Sequence, residues 1–403
     1  MKTRNYFKAT LLSAVCALLV STANAQIDPA PRKLLHLGVN QSLYTDGPMG
    51  AYAFYYWNMP DFMRTNQVLR LVIAPGYVDS ELGFKSLITE HTDFAIGAFG
   101  GLNGDNYQEV RDGQYYTDES FNGNGGGVNV SLYHLFNPAG RIPLQGVLRG
   151  GMEYRSYCES SDTDSDFELP ESQPFFNLRA GFRWGGKEPT LGPVLALEVS
   201  AWYEMQYRPN SDSYGFADDY DLESTTHQLF MRAQINYTTL KSKHYIVAGL
   251  MAGTLLNPDR LSAYRVGGVL PYTSEFPLYM PGYFQNELSV QDFGLLYGMY
   301  TIPLDDDKQW QLLGMAATGV MKYIKDMGQT GAWNSGVGAG GSFTSENRRW
   351  RVLSLFGYGI NAQRKGGEGG YSIGLAFQYN FGETETASDK AFEQLERARG
   401  LGR

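Results

Sequence analysis

Covalent cross-links do not hold this chain together. Its 403 residues contain only Cys16 and Cys158, and Cys16 lies in an amino-terminal stretch expected to be cleaved. Exported chains commonly use their oxidising compartment to form disulfides, so a lone thiol means that stability has another source. Histidine is scarce too. His36, His91, His134, His227 and His244 are scattered, with no metal-ligand spacing. No nucleophile, base and orienting group can be picked out as a set, so no catalytic residue, metal site or cofactor is expected. A net charge of −9 disfavours nucleic acid as a partner. Beyond residue 25, no apolar run approaches the roughly 20 residues of a membrane-spanning helix.

The first 25 residues read as a secretory signal: basic Lys2, Arg4 and Lys8, apolar Leu11 to Val20, then Ala23-Asn24-Ala25 as a cleavage site. The mature chain is expected to start at Gln26. What it contains in abundance is glycine (48), tyrosine (28) and phenylalanine (22). Richness in aromatics and glycine with modest hydropathy suits a closed membrane barrel, in which only alternate residues meet lipid.

Alternation is clearest from Tyr371 to Phe381, where Tyr371, Ile373, Leu375, Phe377 and Tyr379 oppose Ser372, Gly374, Ala376, Gln378 and Asn380. Its length matches the roughly 9–11 residues of a tilted spanning strand. Segments 144–155, 195–205 and 229–237 repeat the pattern, while 244–254 and 309–323 are apolar on both faces. The reading is all-β: a transmembrane antiparallel β-barrel of about sixteen strands over residues 26–381. Connections alternate long (103–127, 157–173, 208–226, 255–287) and short (137–142, 185–192, 240–243, 304–308). That swap predicts an outer-membrane barrel with both termini periplasmic. Residues 382–403 are expected to form a polar periplasmic tail, a short helix or disordered. The acidic stretches Ser161–Asp166 and Asp218–Glu223 read as solvated loop tips or weak divalent-ion sites.

One stretch shows neither the strand nor the helix period. Residues 257–287 hold four prolines, three glycines and six aromatics. Loops of this length are usually functional or disordered, and this composition argues against a solvated coil. Its markers are Arg260, Arg265, Gly267, Gly268, Pro281, Gly282 and Tyr283. Glycines 336, 338 and 340, with Gly374 on the last strand, share inner faces. Glycine inside a strand often marks close approach by another group, so these four are expected to seat the folded-down loop. Arg70, Arg149, Arg155, Arg179, Arg183 and Arg232 are expected in the lumen with Glu153, Glu198 and Glu204, either as wall-stiffening ion pairs or as a basic path for anions.

Asp259-Arg260-Leu261, Arg265-Val266-Gly267-Gly268, Gly282-Tyr283 and Glu287-Leu288, closing on Tyr300-Thr301-Ile302-Pro303-Leu304, resemble the surface-antigen barrel superfamily. This group includes outer-membrane assembly factors and two-partner secretion transporters. The resemblance implies sixteen strands and a sixth extracellular loop that enters the lumen, followed by five strands, here 288–303, 309–323, 333–343, 350–361 and 370–381. It also implies a loop-tip arginine that pairs with a wall carboxylate. Pro281 stands at that arginine's position, with Arg265 as a candidate substitute, and Leu313–Ala317 replaces the family's Phe-x-Asp-x-Gly. No polypeptide-transport-associated domains are expected ahead of the barrel. Three functions follow: protein or lipid insertion or translocation, a diffusion channel for small anionic solutes, or a structural or adhesive surface barrel. Expected partners are outer-membrane lipid and lipopolysaccharide and a separate periplasmic protein, with the barrel itself monomeric.

Overall fold

Alternation of inner and outer residues ends with the first strand paired to the last. In the computed structural model, β1 (Arg32–Ser42) runs antiparallel to β18 (Gly367–Asn380), in register from Leu34 with Asn380 to Ser42 with Ser372. The structure describes residues 27–382 except 29, 45–46, 103–105, 141, 187–193 and 271–275. The expected signal, and the tail beyond Gly382, lie outside the described residues.

The other strands follow as β2 (Gly50–Pro60), β3 (Gln67–Ala74), β4 (Tyr77–Thr89), β5 (Thr92–Gly101), β6 (Tyr107–Arg111), β7 (Gln114–Leu135), β8 (Leu144–Glu159) and β9 (Gln173–Gly185). Next come β10 (Leu195–Tyr207), β11 (Thr225–Thr238), β12 (Tyr245–Leu256), β13 (Tyr264–Val266), β14 (Leu288–Pro303), β15 (Trp310–Tyr323), β16 (Trp333–Thr344) and β17 (Trp350–Arg364). β6 and β13 are short additions to β7 and β14, and β5 pairs β7 while β12 pairs β14. The remaining sixteen strands close an antiparallel barrel. An even count returns the chain to its starting end, so the start of β1 and the end of β18 lie with the short turns and the opposite end carries the long loops. Residues 257–287 are the sixth connection at that end, with five barrel strands after them.

The outer surface is apolar. Leu148, Met152, Leu229, Met231, Leu375 and their alternating neighbours are exposed, and Trp184, Tyr237, Tyr300, Trp310 and Phe381 mark the short-turn end. An apolar band bordered by aromatics is the outer-membrane barrel pattern. One expected loop is corrected. Residues 114–127, assigned above to the long connection 103–127, belong to the 22-residue β7. Gly123, Gly125, Gly126 and Gly127 erase the alternation that would reveal a strand. Gly127 is needed because an added Cβ would come within 2.3 Å of Met152 O on β8.

Candidate functional site

The interior has two halves. Along β12 to β18 it is largely apolar: Met251, Leu255, Phe293, Leu295, Leu313, Met315, Leu353 and Leu355 form one buried cluster with Val266, Val269, Leu270, Leu278, Met280 and Tyr283 of the 257–287 loop. This accounts for 244–254 and 309–323 being apolar on both faces. Their outer residues form the apolar exterior and their inner residues meet the loop.

The loop enters by a narrow hairpin, with Gly267 N donating to Leu278 O (2.9 Å) and Met280 N to Gly268 O (3.0 Å). Val269 N donates to Asn40 Oδ1 of β1 at 3.1 Å. Pro281-Gly282-Tyr283 then lies against glycines of the wall. A Cβ added at Gly336 would come 2.2 Å from Pro281 O, and one at Gly357 2.6 Å from Gly282 N. Gly282 itself has φ +86° and no space for a Cβ, which would lie 1.8 Å from Gly359 N. Gly282 N donates to Ser372 Oγ (3.0 Å) and Tyr283 Oη to Asn334 Oδ1 (3.0 Å). Burial pushes the Tyr283 phenol well above its ordinary pKa.

Of the glycines expected at the seat, Gly336 meets Pro281, and Gly374 meets Val269 and Leu270. Gly338 and Gly340 do not serve this contact. Their nearest neighbours are the wall residues Met315, Phe356, Ser354 and Leu355, because the loop crosses nearer the other end of β16. Gly357, Gly359 and Gly370 complete the seat.

Charge at the loop tip is arranged in the reverse sense. With Pro281 in place of an arginine, Arg364 of β17 supplies the cation. Its Nη1 and Nη2 donate to Glu287 Oε1 and Oε2 at 2.8 and 2.9 Å, and Nη2 to Gly282 O at 3.2 Å. Glu287 Oε2 also accepts from Phe284 N at 2.6 Å, and the guanidinium carbon sits 3.9 Å from the Phe284 ring centroid. Both side chains are nearly inaccessible, at 4% and 1%. The candidate substitute Arg265 does not fill this role. It donates to Ser289 Oγ and Gln108 O on the far side of the hairpin. Arg260 bonds Glu109 of β6.

The other half of the interior is polar, and its arginines are paired. Arg149 donates to Glu81 Oε2 and Tyr133 Oη, both at 2.7 Å. Arg70 pairs Asp79 (3.2 Å), Arg179 pairs Glu204 (2.8 Å), and Arg155 pairs Glu153. Arg183 and Arg232 share Glu198. Six arginines thus face five carboxylates, close to balance. A cavity of about 500 Å³ runs along this wall. Ile27 reaches into it, buried with Val68, Tyr133, Val147 and Trp202, while Asn58 Nδ2 donates to the Asp28 and Ala30 carbonyls. At the long-loop end, Tyr107, Phe121, Phe167, Tyr214, Tyr220 and Leu222 pack into a buried cap. The acidic connections are therefore only partly solvated: Asp219 and Asp221 are exposed while Tyr214 and Tyr220 between and beside them are buried.

No protein-family model matches this sequence, and no curated protein matches it. Solved structures match in fold. CdiB from Acinetobacter baumannii aligns with a TM-score of 0.59 at 11% identity, over 87% of this chain and 60% of its own. CdiB from Escherichia coli gives 0.53 at 14%, over 87% and 64%. BamA from Haemophilus ducreyi lacking POTRA domains 1–3 gives 0.52 at 9%, over 92% and 78%. This chain folds as an outer-membrane-type β-barrel. It spans under two thirds of the length of the CdiB chains, and at these identities the likeness concerns the fold.

Arg364 escaped the sequence reading for two reasons. It lies past the expected end of its strand at 361, and its partner is 77 residues away, beyond any local spacing. Glu287, in the motif Glu287-Leu288, was the available signal.

Proposed function

We propose that the chain is an outer-membrane barrel of the surface-antigen type that inserts or translocates polypeptide or lipid, with residues 257–287 as its plug. The observation that carries this reading is the seat of Pro281-Gly282-Tyr283 on the glycine wall, closed by Arg364 and Glu287. A loop buried among wall side chains, with its own ion pair, is built to close a lumen reversibly. Both termini and the Ile27 cavity then face the periplasm, where a separate protein delivers the cargo. The near-balance of lumen arginines and carboxylates weighs against an anion-selective channel, since paired charges leave little net field along the path.

Planar-bilayer conductance of the intact chain and of a variant lacking residues 257–287 tests the reading. Low, rarely opening conductance that becomes large and steady on deletion is the expected result. Large steady conductance of the intact chain, with a reversal potential favouring anions, would replace it with the solute-channel reading.

A further inference from the structure

A second cavity, about 240 Å³, lies where the loop hairpin meets the β6 extension. Arg155, Arg260 and Arg265 line it with Tyr107, Asn106 and Asn286, and among the described residues no carboxylate does. The acids that balance this region sit behind the guanidiniums. Glu109 is fully buried and shared by Arg260 and Arg111, and Glu119 bonds Arg111 and Tyr220 Oη. Arg265 has no such partner. Among the described residues its contacts are Ser289 Oγ, Gln108 O at 3.1 Å, and the Tyr107 ring 4.5 Å from Cζ. Among the described residues, Arg111, Arg260 and Arg265 therefore face two carboxylates, an excess of one positive charge beside the cavity.

The mouth is equipped to donate as well. Asn106 Oδ1 accepts from Gly123 N at 3.0 Å and Asn286 Oδ1 from Gln285 Nε2 at 3.3 Å, which leaves both Nδ2 groups uncommitted among the described residues. Both asparagines are exposed, so the cavity opens outward. We infer that this cavity is an anion site for a phosphate group, held by Arg265 with Arg155, Arg260 and the two asparagine amides. Phosphate suits it better than carboxylate because it offers more acceptor oxygens to a donor set with several directions. The volume is below that of drug-sized pockets, so the ligand is inorganic phosphate itself or the phosphate head of a larger glycolipid lying outside the mouth.

Isothermal titration of the full chain in detergent, with inorganic phosphate in a low-salt, phosphate-free buffer, tests the site. Saturable binding is expected, weakened about tenfold or more by Arg265→Gln, the loss for a hydrogen bond to a charged group. Asn286→Gly, which removes the amide and keeps the left-handed backbone of this exposed position (φ +58°), is expected to weaken it less. A second arm uses micelles containing a phosphorylated glycolipid or its dephosphorylated form. Binding of phosphate alone identifies the free ion, and binding only of the phosphorylated glycolipid, weakened by the same substitutions, identifies the head group. Either result supports the site. Absence of saturable binding in both arms, or unchanged binding by heat-modifiable, folded Arg265→Gln and Asn286→Gly, would overturn it.

Discussion

Replacing Glu287 with glutamine leaves Arg364 charged in a place that water barely reaches. The pair is almost fully buried, and the guanidinium makes two parallel bonds to the carboxylate and a third to Gly282 O. Removing one member of such a pair costs about 3–5 kcal/mol, because the remaining charge keeps its desolvation penalty. At 1.4 kcal/mol per tenfold, the seated loop loses a factor of about 10² to 4 × 10³ against the released loop. Limited proteolysis of reconstituted protein reads this directly: Glu287→Gln and Arg364→Met should each expose residues 257–287 to cleavage and raise open probability in bilayers. Replacing both partners together (Arg364→Met with Glu287→Leu) should recover much of the protection, since no isolated charge remains. Protection by both single variants equal to that of the parent would refute the reasoning.

Three other outcomes follow from the same contacts. Gly336→Val or Gly357→Val should unseat the loop, because a Cβ at either position collides with Pro281 or Gly282, whereas Gly314→Ala, with open space around it, should leave protection unchanged. Ile27→Asp should free the amino-terminal segment to protease, and by lost burial alone Ile27→Ala should cost about 1.5–3 kcal/mol in thermal or denaturant unfolding. Asp305, outside the strands, is held below the ordinary aspartate pKa by the backbone N–H groups of Trp310 and Gln309. A depressed carboxylate stabilises above its unfolded pKa and loses that effect as pH falls through the folded value. Protection of the Gln309 and Trp310 amides, taken relative to their intrinsic exchange rates, should therefore fall only below the usual carboxylate range, and Asp305→Asn should remove that fall.

Strands with one lipid face and one polar face were legible from alternation alone, and β14 has the limits its sequence suggests, 288–303. The loop was legible for the opposite reason, as a long stretch with no period amid periodic neighbours. The region around β7 was not, because its glycines carry no side chains to alternate. Apolar inner faces at Val247, Met251, Leu313 and Met315 looked ambiguous in sequence, yet that double-sided apolarity is the mark of strands that receive the loop. Charge placement was the least legible feature. The lumen arginines were identifiable by type and face, but their partners Glu81 and Asp79 lie on other strands, and Arg364 of β17 answers Glu287, 77 residues away in sequence.

Capture of the loop against the last strand offers the most direct measurement. A Cβ built on Gly374 lies 2.7 Å from Val269 Cγ1, so paired cysteines there fall within the span of a disulfide. With Val269→Cys and Gly374→Cys in a Cys158→Ser background, a plugged lumen predicts near-complete cross-linking in native membranes without added oxidant, together with protection from maleimide. Two thiols that remain reduced and label freely would contradict it.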